Sequence, residues 1–272
     1  MIIIGQISGK ETLEQKFELA FSDNQHIESN YFIERITKAW VVSNQRNPVF
    51  LQFHYGMIPF WSRKPVMHFE SPVEGSVNPG AERLKKRIII HPSYRRPIRE
   101  SRCLVPADYF IVPNDEGEPY LLFSNASKIF ALAGIYDSWK EEYHQEDFYR
   151  GFSLLTTPSG EEFRNVGINR LPLILSERVY KRWLNPDTPL AEITRLLEIT
   201  GEKNLNGYPV SRALYQDRQN SSELCTPAGS MLREPPQDLS KIATFIRSFR
   251  FSRGIAHIPK EQEQSSWWGK EL

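Results

Sequence analysis

The sequence has few cysteines and no long apolar runs, and both absences exclude classes of protein. Its 272 residues include only two cysteines, Cys103 and Cys225, which excludes a disulfide-stapled scaffold and is typical of a reducing compartment. No apolar run approaches the ~20 residues of a membrane-spanning helix, and no basic segment precedes the short apolar start, as a signal peptide requires. We therefore expect a cytoplasmic protein without a membrane partner.

The sequence also lacks an excess of charge of either sign. The formal net charge is +1 at pH 7, so only local clustering of charge would indicate a nucleic-acid partner. The sequence contains no glycine-rich nucleotide-binding loop and no nucleophile-elbow motif, and its six histidines are scattered without metal-ligand spacing. We expect neither a cofactor nor a metal ion.

Alternating apolar residues and hairpin signals predict an α+β fold with a largely antiparallel sheet flanked by short helices. Leu13, Phe17 and Phe21 recur every four residues and predict a helix, which Ser8 and Glu11 would begin at capping-box spacing. Two further helices are predicted at 176–184 and 190–199. Strands are predicted at 1–8, 39–43, 49–55, 120–124, 129–136 and 152–157.

The stretch Arg102–Pro113, RCLVPADYFIVP, reads as a buried strand, which we expect to be bulged or bent at Pro106. Cys103 in this stretch is a candidate nucleophile because the neighbouring Arg102 would lower its pKa. Alternation along a strand, however, sends these two side chains to opposite faces. We therefore expect Cys103 to be buried and inert.

Several motifs in a fixed order resemble those of one family, the SOS response-associated peptidases. Besides RCLVPADYFIVP, they are YGMIPFW at Tyr55–Trp61, NPGAE at Asn78–Glu82, LTT at Leu155–Thr157, NRLPLIL at Asn169–Leu175 and YPVSRA at Tyr208–Ala213. The resemblance runs from residue 1 to about 228 and implies a barrel-like antiparallel core in one domain, 1–228. Residues 229–272 then form a C-terminal extension.

The resemblance also implies a reaction, which this sequence is not equipped to perform. Family members remove the initiator Met and expose Cys at position 2, whose amine and thiol capture the aldehyde of an abasic site in single-stranded DNA as a thiazolidine. An Asn, a Glu and a His assist. The four positions are here Ile2, Asn78, Val112 and Ile168, so only the Asn is retained.

Three aliphatic replacements remove the chemistry. Ile2 has no sulfur, and its bulk should block removal of Met1. Val112 and Ile168 offer neither a proton nor a lone pair for acid–base catalysis. The sequence therefore predicts a catalytically inactive member of the family.

Retained motif residues and one basic run are candidates for DNA binding. The stretch 83–102 carries eight Lys or Arg residues against one acid, Glu100, a pattern that would bind phosphates with a steep salt dependence. Its alternative is a solvated face, offset by the acidic stretches 114–118 and 137–147. The candidate contacts are Trp61, Asn78, Arg95, Arg96, Arg99, Arg170, Ser211 and Arg212.

Three of these candidates have structural alternatives. Trp61 would stack on a base or pack in the core beside Pro59. Asn78 would face the old pocket or stabilise a turn, and Arg170 would contact phosphate or pair with a carboxylate.

Two hypotheses for function follow. The first is an inactive family member that binds single-stranded or abasic DNA. The second is a protein-interaction module on the same scaffold, since Gly80 replaces the phosphate-contacting Arg that the resemblance implies. The basic, aromatic segment 230–272 would then be a site for a protein partner, with a DNA-contacting arm, a docked helix or a disordered tail as its alternatives.

Overall fold

Strands dominate the described chain, as the alternation of apolar residues predicts. The structure is a computed structural model that describes residues 1–21, 25–44, 47–74, 87–140, 148–198, 204–216 and 220–233. Its strands are β1 (Ile3–Gln6), β2 (Asn30–Ile33), β3 (Lys38–Ser43), β4 (Val49–Tyr55), β5 (Glu70–Pro72), β6 (Arg102–Ala107), β7 (Tyr109–Pro113), β8 (Pro119–Ser124), β9 (Phe130–Trp139), β10 (Tyr149–Pro158), β11 (Arg170–Pro172), β12 (Ile174–Leu175) and β13 (Leu205–Pro209).

The helices of the described residues are short, and none is long and apolar enough to cross a membrane. The predicted capping box is wrong: the first helix is capped by Gly9 without a side-chain hydrogen bond, and the Ser8 hydroxyl donates instead to Asp108. The helix predicted at 176–184 begins as a 3₁₀ turn, Glu177–Val179. The α-helices are α1 (Lys10–Phe17), α2 (Pro97–Glu100), α3 (Glu161–Arg164), α4 (Tyr180–Leu184) and α5 (Leu190–Leu196).

Five strands close into a ring, which confirms the α+β, largely antiparallel, barrel-like fold. Strands β3, β4, β10, β9 and β6 pair in that order, and β6 pairs back to β3. Within the ring only the β4–β10 pairing is parallel. A second, fully antiparallel sheet has the order β13-β8-β7-β1-β2.

The two faces of the ring bury different clusters. Val41 and Cys103 pack with residues of the second sheet, whereas Val42 and Leu104, their neighbours along the chain, pack with helix residues such as Trp183. The period of two along a strand produces this division. Arg102 contacts α4 on the helix side, so Arg102 and Cys103 point to opposite faces, as predicted.

The expected bend at Pro106 is wrong. Strand β6 pairs with β9 without interruption through Pro106, and the chain changes sheets at Asp108, between β6 and β7. Proline is tolerated because β3 pairs with β6 only at Cys103 and Leu104. At Pro106, hydrogen bonds from a side chain take the place of backbone hydrogen bonds between β3 and β6.

That side chain is Gln6, whose buried carboxamide stands between β3 and β6. Its Nε2 donates to the carbonyls of Trp40 and Pro106, each at 2.8 Å, and its Oε1 accepts from the Trp40 N–H at 2.9 Å. A side chain of β1 thus donates to the Trp40 carbonyl in place of the N–H that proline lacks, and it bridges the two strands through its other two hydrogen bonds. It also ties the second sheet to the ring.

Asp108 fixes the corner at which the chain passes from the ring to the second sheet. Its Oδ2 accepts from the N–H groups of Ile7 and Ser8, at 2.8 and 3.0 Å, and its own N–H donates to the Gly5 carbonyl at 2.9 Å. Burial raises the pKa of this carboxyl, although the hydrogen bonds that it accepts act in the opposite direction.

Arg102 performs a similar role on the helix side, where its guanidinium is fully buried. It donates to the carbonyls of Trp183 at 2.9 Å, Asn185 at 2.7 Å and Ile98 at 3.1 Å, and also to that of Arg99. The last carbonyls of a helix lack partners within the helix, so Arg102 satisfies the ends of α2 and α4 together. This member of the basic run is therefore structural.

We expect Asp108→Asn to preserve the corner and to change its pH dependence. The amide oxygen can accept from Ile7 and Ser8, and the amide N–H can donate to the Ser8 hydroxyl, so the free energy of unfolding should stay within ~1 kcal/mol near pH 4. A raised carboxyl pKa in the folded state means that ionisation opposes folding. The variant should therefore gain stability relative to the native protein as pH rises from about 4 to 7.

Urea denaturation over this pH range measures the difference. Asp108→Ala is the control, because it leaves the N–H groups of Ile7 and Ser8 without an acceptor and should cost ~1–3 kcal/mol. A loss of relative stability for Asp108→Asn as pH rises would contradict the expectation.

Candidate functional site

The three aliphatic residues at the implied catalytic positions belong to one buried hydrophobic cluster. Ile2, Val112 and Ile168 are 5%, 2% and 1% exposed and share the cluster with Ile4 and Phe110. The antiparallel register that pairs Ile3 with Ile111 continues to place Ile2 beside Val112. The cluster is apolar at the positions where the resemblance implies a thiol, an acid and a base. Asn78, the fourth position, lies outside the described residues.

The loop that carries Ile168 is held by the β7–β8 turn. The Asp115 N–H donates to the Gly167 carbonyl at 3.0 Å, and the Asn169 Nδ2 donates to the Asp115 carboxylate at 2.6 Å. Gly167 has φ +79°, a conformation that glycine adopts without strain. The loop is therefore tied to the strand that carries Val112.

The amino group of Met1 is a polar group close to this cluster. Burial lowers its pKa, the negative charge of Glu70 opposes the shift, and Arg35 reinforces it. The Arg35 guanidinium lies 4.5 Å from the ring centroid of Phe69. A lowered pKa increases the neutral fraction of the amine at a given pH.

Neither cysteine is placed to act as a nucleophile. Cys103 and Cys225 are both buried, and burial raises both pKa values, that of Cys225 to about 12. The expected burial of Cys103 is thereby confirmed, and its inert state stays a prediction. Within the described ranges, no group of three His, Cys, Asp or Glu residues is arranged to hold a metal ion.

Two exposed rings project from the segment Gly56–Ser62, which we call the aromatic turn. Phe60 is 49% exposed and Trp61 is 52% exposed, so Trp61 is not a core residue beside Pro59. The Arg96 guanidinium lies 4.2 Å from the centroid of the Phe60 ring, a cation–π distance. The turn therefore presents aromatic surface next to positive charge.

The basic stretch lies partly beside this turn. Arg95 and Arg96 are exposed and Arg99 is partly exposed, and the acid Glu100 pairs with Arg96 at 2.9 Å. We call the aromatic turn and these three arginines the aromatic–basic surface. Residues 83–86 of the basic stretch lie outside the described residues.

The other predicted DNA contacts that the structure describes form a second set, and each has a hydrogen-bond partner within the protein. Arg170 forms a bidentate pair with Glu74, with nitrogen–oxygen distances of 3.0 and 3.3 Å, which is the carboxylate alternative. Arg212 donates to the Glu116 carbonyl at 3.1 Å, and the Ser211 hydroxyl accepts from the Ala213 N–H at 3.2 Å. DNA contact by these residues stays a prediction.

Sequence reasoning missed Phe60 as a site residue, although it adjoins Trp61 in the same motif. Its signal was the pattern of two neighbouring aromatic residues followed by the polar segment Ser62–Lys64. The structural role of Arg102 had no such signal, because two of its partners, Trp183 and Asn185, lie about eighty residues away in sequence. A charge run alone does not separate buried from exposed arginines.

The chain is similar in sequence to two proteins that are named for abasic site processing. It is 26% identical over 189 residues to the abasic site processing protein YoaM of Bacillus subtilis (strain 168), over 68% of this chain and 78% of that protein. It is 27% identical over 190 residues to YoqW, an abasic site processing protein of the same strain, over 68% and 79%.

Solved structures share the fold. A protein from Bacteroides thetaiotaomicron superposes with a TM-score of 0.67 at 21% identity, over 84% of this chain and 99% of that one. A phage-related protein from Bordetella bronchiseptica superposes with a TM-score of 0.58 at 20% identity, over 78% and 95%. The family model described as SOS response associated peptidase (SRAP) matches residues 5–216. The chain therefore belongs to the SRAP family.

Proposed function

We propose that this SRAP-family chain binds single-stranded DNA, including DNA with abasic sites, without forming the thiazolidine crosslink. Its role would lie in the response to DNA damage, in line with the abasic site processing proteins that it resembles. The aromatic–basic surface supports the binding half of the proposal. The apolar cluster at the implied catalytic positions supports the loss of the reaction.

Base stacking and phosphate contact would act together on the aromatic–basic surface. Trp61 and Phe60 offer exposed ring faces, and stacking on an aromatic side chain contributes ~1–3 kcal/mol per base. Arg96 supplies positive charge at the Phe60 ring, and Arg95 and Arg99 belong to the same basic segment. This is the arrangement by which proteins bind single strands without reading their sequence.

The second set of predicted contacts is expected to add less. Arg170 already has a carboxylate partner in Glu74, and the turn beside Arg212 carries the acids Asp115 and Glu116. A phosphate approaching there would compete with Glu74 and meet negative charge. We therefore assign most of the phosphate contact to the aromatic–basic surface.

A protein-interaction module is the second candidate function. The pairing of Arg170 with Glu74 favours it, because this pair is bidentate and partly buried, whereas the single-bonded pair of Arg96 with Glu100 is exposed and yields to phosphate at little cost. Under this hypothesis the surface near Arg212 and segment 230–272 would contact a protein. Residues 234–272 lie outside the described residues. Failure of the native protein to bind single strands at low salt would favour this second candidate.

Restoring the implied acid should destabilise the protein. A Val112→Glu side chain would enter an apolar cluster without a partner, and an unpaired buried charge costs ~3–5 kcal/mol. Val112→Gln has the same shape without the charge and should cost ~1–3 kcal/mol. Urea denaturation near pH 7 measures both losses.

The charge-specific part of the loss depends on pH. Burial raises the pKa of the introduced carboxyl, so the difference between the two variants should shrink as pH falls through that pKa. Equal stability of Val112→Glu and the native protein near pH 7 would show that the cluster admits a charge.

Fluorescence anisotropy with labelled oligothymidylate tests DNA binding. Single strands lose ~0.7 in the slope of log K against log salt for each phosphate contact, so three arginines predict a slope of ~−2. Arg95→Gln should reduce the steepness by ~0.7. Arg178→Gln removes an exposed arginine on the helix side and is the matched control.

Trp61→Ala should weaken binding by ~1–3 kcal/mol, and Trp61→Phe should weaken it less. Binding that does not respond to salt would refute the phosphate mechanism.

We expect no stable crosslink with abasic DNA and no loss of Met1. Neither Cys103 nor Cys225 has an α-amine next to its thiol, so neither can close a thiazolidine ring. A Schiff base from the Met1 amine would hydrolyse without that ring. The measurement is incubation with an abasic single strand, a denaturing gel without borohydride, and the intact mass of the protein.

Ile2→Cys alone should not restore the crosslink. Val112 and Ile168 would remain in place of the acid and the base, and the loss of one such group lowers a rate by ~10²–10⁴-fold. A heat-stable shifted band with the native protein, or a native mass that lacks Met1, would refute the loss of chemistry. A crosslink formed by Ile2→Cys would show that the other two positions are dispensable.

A further inference from the structure

We propose that three side chains of the β9–β10 hairpin, Asp137, Trp139 and Tyr149, are positioning residues for the aromatic turn. They hold its two exposed rings in the orientation that stacks on bases. The inference rests on the proposed single-strand binding and adds the residues that prepare the protein for it.

The three side chains contact the turn at its start, middle and end. The Tyr149 hydroxyl donates to the Gly56 carbonyl at 2.8 Å. The Asp137 Oδ2 accepts from the Phe60 N–H at 2.9 Å, and the Trp139 Nε1 donates to the Ser62 carbonyl at 2.6 Å. Each contact reaches the backbone of the turn, so together they fix its path and leave the rings free.

The backbone of the hairpin also lies close to the turn. The Gly56 N–H donates to the Phe152 carbonyl at 2.8 Å, and a Cβ atom on Gly151 would lie only 2.0 Å from the Gly56 oxygen. Gly56 has φ +139°, which a residue with a side chain rarely adopts. Two glycines therefore permit a close approach that the three side chains then complete.

The anchors are less exposed than the rings. Asp137 is 6% exposed and Trp139 is 8% exposed, and Tyr149 is partly exposed, whereas Phe60 and Trp61 are about half exposed. The Arg96 guanidinium lies over the Phe60 ring. The hairpin itself is part of the closed ring, so the anchors stand on a rigid support.

Anchoring matters because loose exposed rings would have to be ordered when they bind a base. Apparent affinity falls in proportion to the fraction of molecules in which the binding conformation is present. Groups that fix the turn beforehand raise that fraction, and each hydrogen bond removed should lower it several-fold. The number of phosphate contacts is unaffected by the anchors.

Substitutions that remove the hydrogen-bonding group of each anchor test this role. Tyr149→Phe removes only the hydroxyl, and Trp139→Phe removes the indole N–H while keeping an aromatic ring. Tyr180→Phe is the matched control, because it removes a tyrosine hydroxyl that accepts a buried hydrogen bond, from Ala131, on the helix side. Asp137→Ala is compared with Asp137→Asn, which keeps one acceptor oxygen.

Two readouts are taken on the full chain. Amide hydrogen exchange at Phe60 and Trp61 without DNA should accelerate in the Tyr149→Phe, Trp139→Phe and Asp137→Ala variants. The dissociation constant for oligothymidylate at fixed salt should rise about 3- to 10-fold, with an unchanged salt slope. Asp137→Asn should recover part of the loss, and Tyr180→Phe should alter neither readout.

Every outcome decides the inference. Unchanged exchange would show that these side chains do not hold the turn, and accelerated exchange with native affinity would show that its order is not needed. A changed salt slope would indicate lost phosphate contacts and would overturn a purely positioning role. If the native protein itself does not bind, the proposed function fails together with this role. Failure of the anchors alone is distinguished by native binding that remains intact.

Discussion

The buried carboxyl of Asp108 is the contact on which the arrangement of the two sheets depends. It accepts from residues 7 and 8 at the point where the chain leaves the closed ring and enters the second sheet. Strand β1 ends just before residues 7 and 8, and β7 begins just after Asp108, so the same corner fixes the register between β1 and β7. Gln6 completes the junction, because its side chain bridges β3 and β6 at Pro106, where these two strands do not pair directly. The positions Ile2 and Val112 become neighbours as a consequence of this corner.

That dependence explains which features sequence reasoning found and which it missed. Period-two alternation predicted the strands and the opposite faces of Arg102 and Cys103, because alternation is a local property of the backbone. The predicted cap at Ser8 and bend at Pro106 were wrong, since their partners, Asp108 and Gln6, lie about a hundred residues away in sequence. The fold class followed from motifs and hairpin signals, whereas the contacts at the junction required the three-dimensional arrangement. For the candidate site, the motif turn indicated Trp61, but no local signal indicated the side chains that anchor it.

The three aliphatic residues at the implied catalytic positions lie in one apolar environment. They share one buried cluster, so each is packed among apolar groups. A lone carboxylate or imidazole there would lose its hydration without gaining a partner, which is costly in an apolar interior. An aliphatic residue is therefore favoured at each of the three positions. Under the proposed loss of the reaction, a single substitution is a poor route back to it.

The aromatic turn is anchored by other residues. Its anchors, Asp137, Trp139 and Tyr149, belong to the β9–β10 hairpin, whereas Ile2 and Val112 lie at β1 and β7 of the second sheet. Stacking and phosphate contact require exposed rings and cations, and neither requires an acid or a base in the apolar cluster. The hydrogen bonds that anchor the turn thus involve none of the residues at the implied catalytic positions. Under the proposed function, the covalent reaction is lost while the surface that would hold a single strand remains in place.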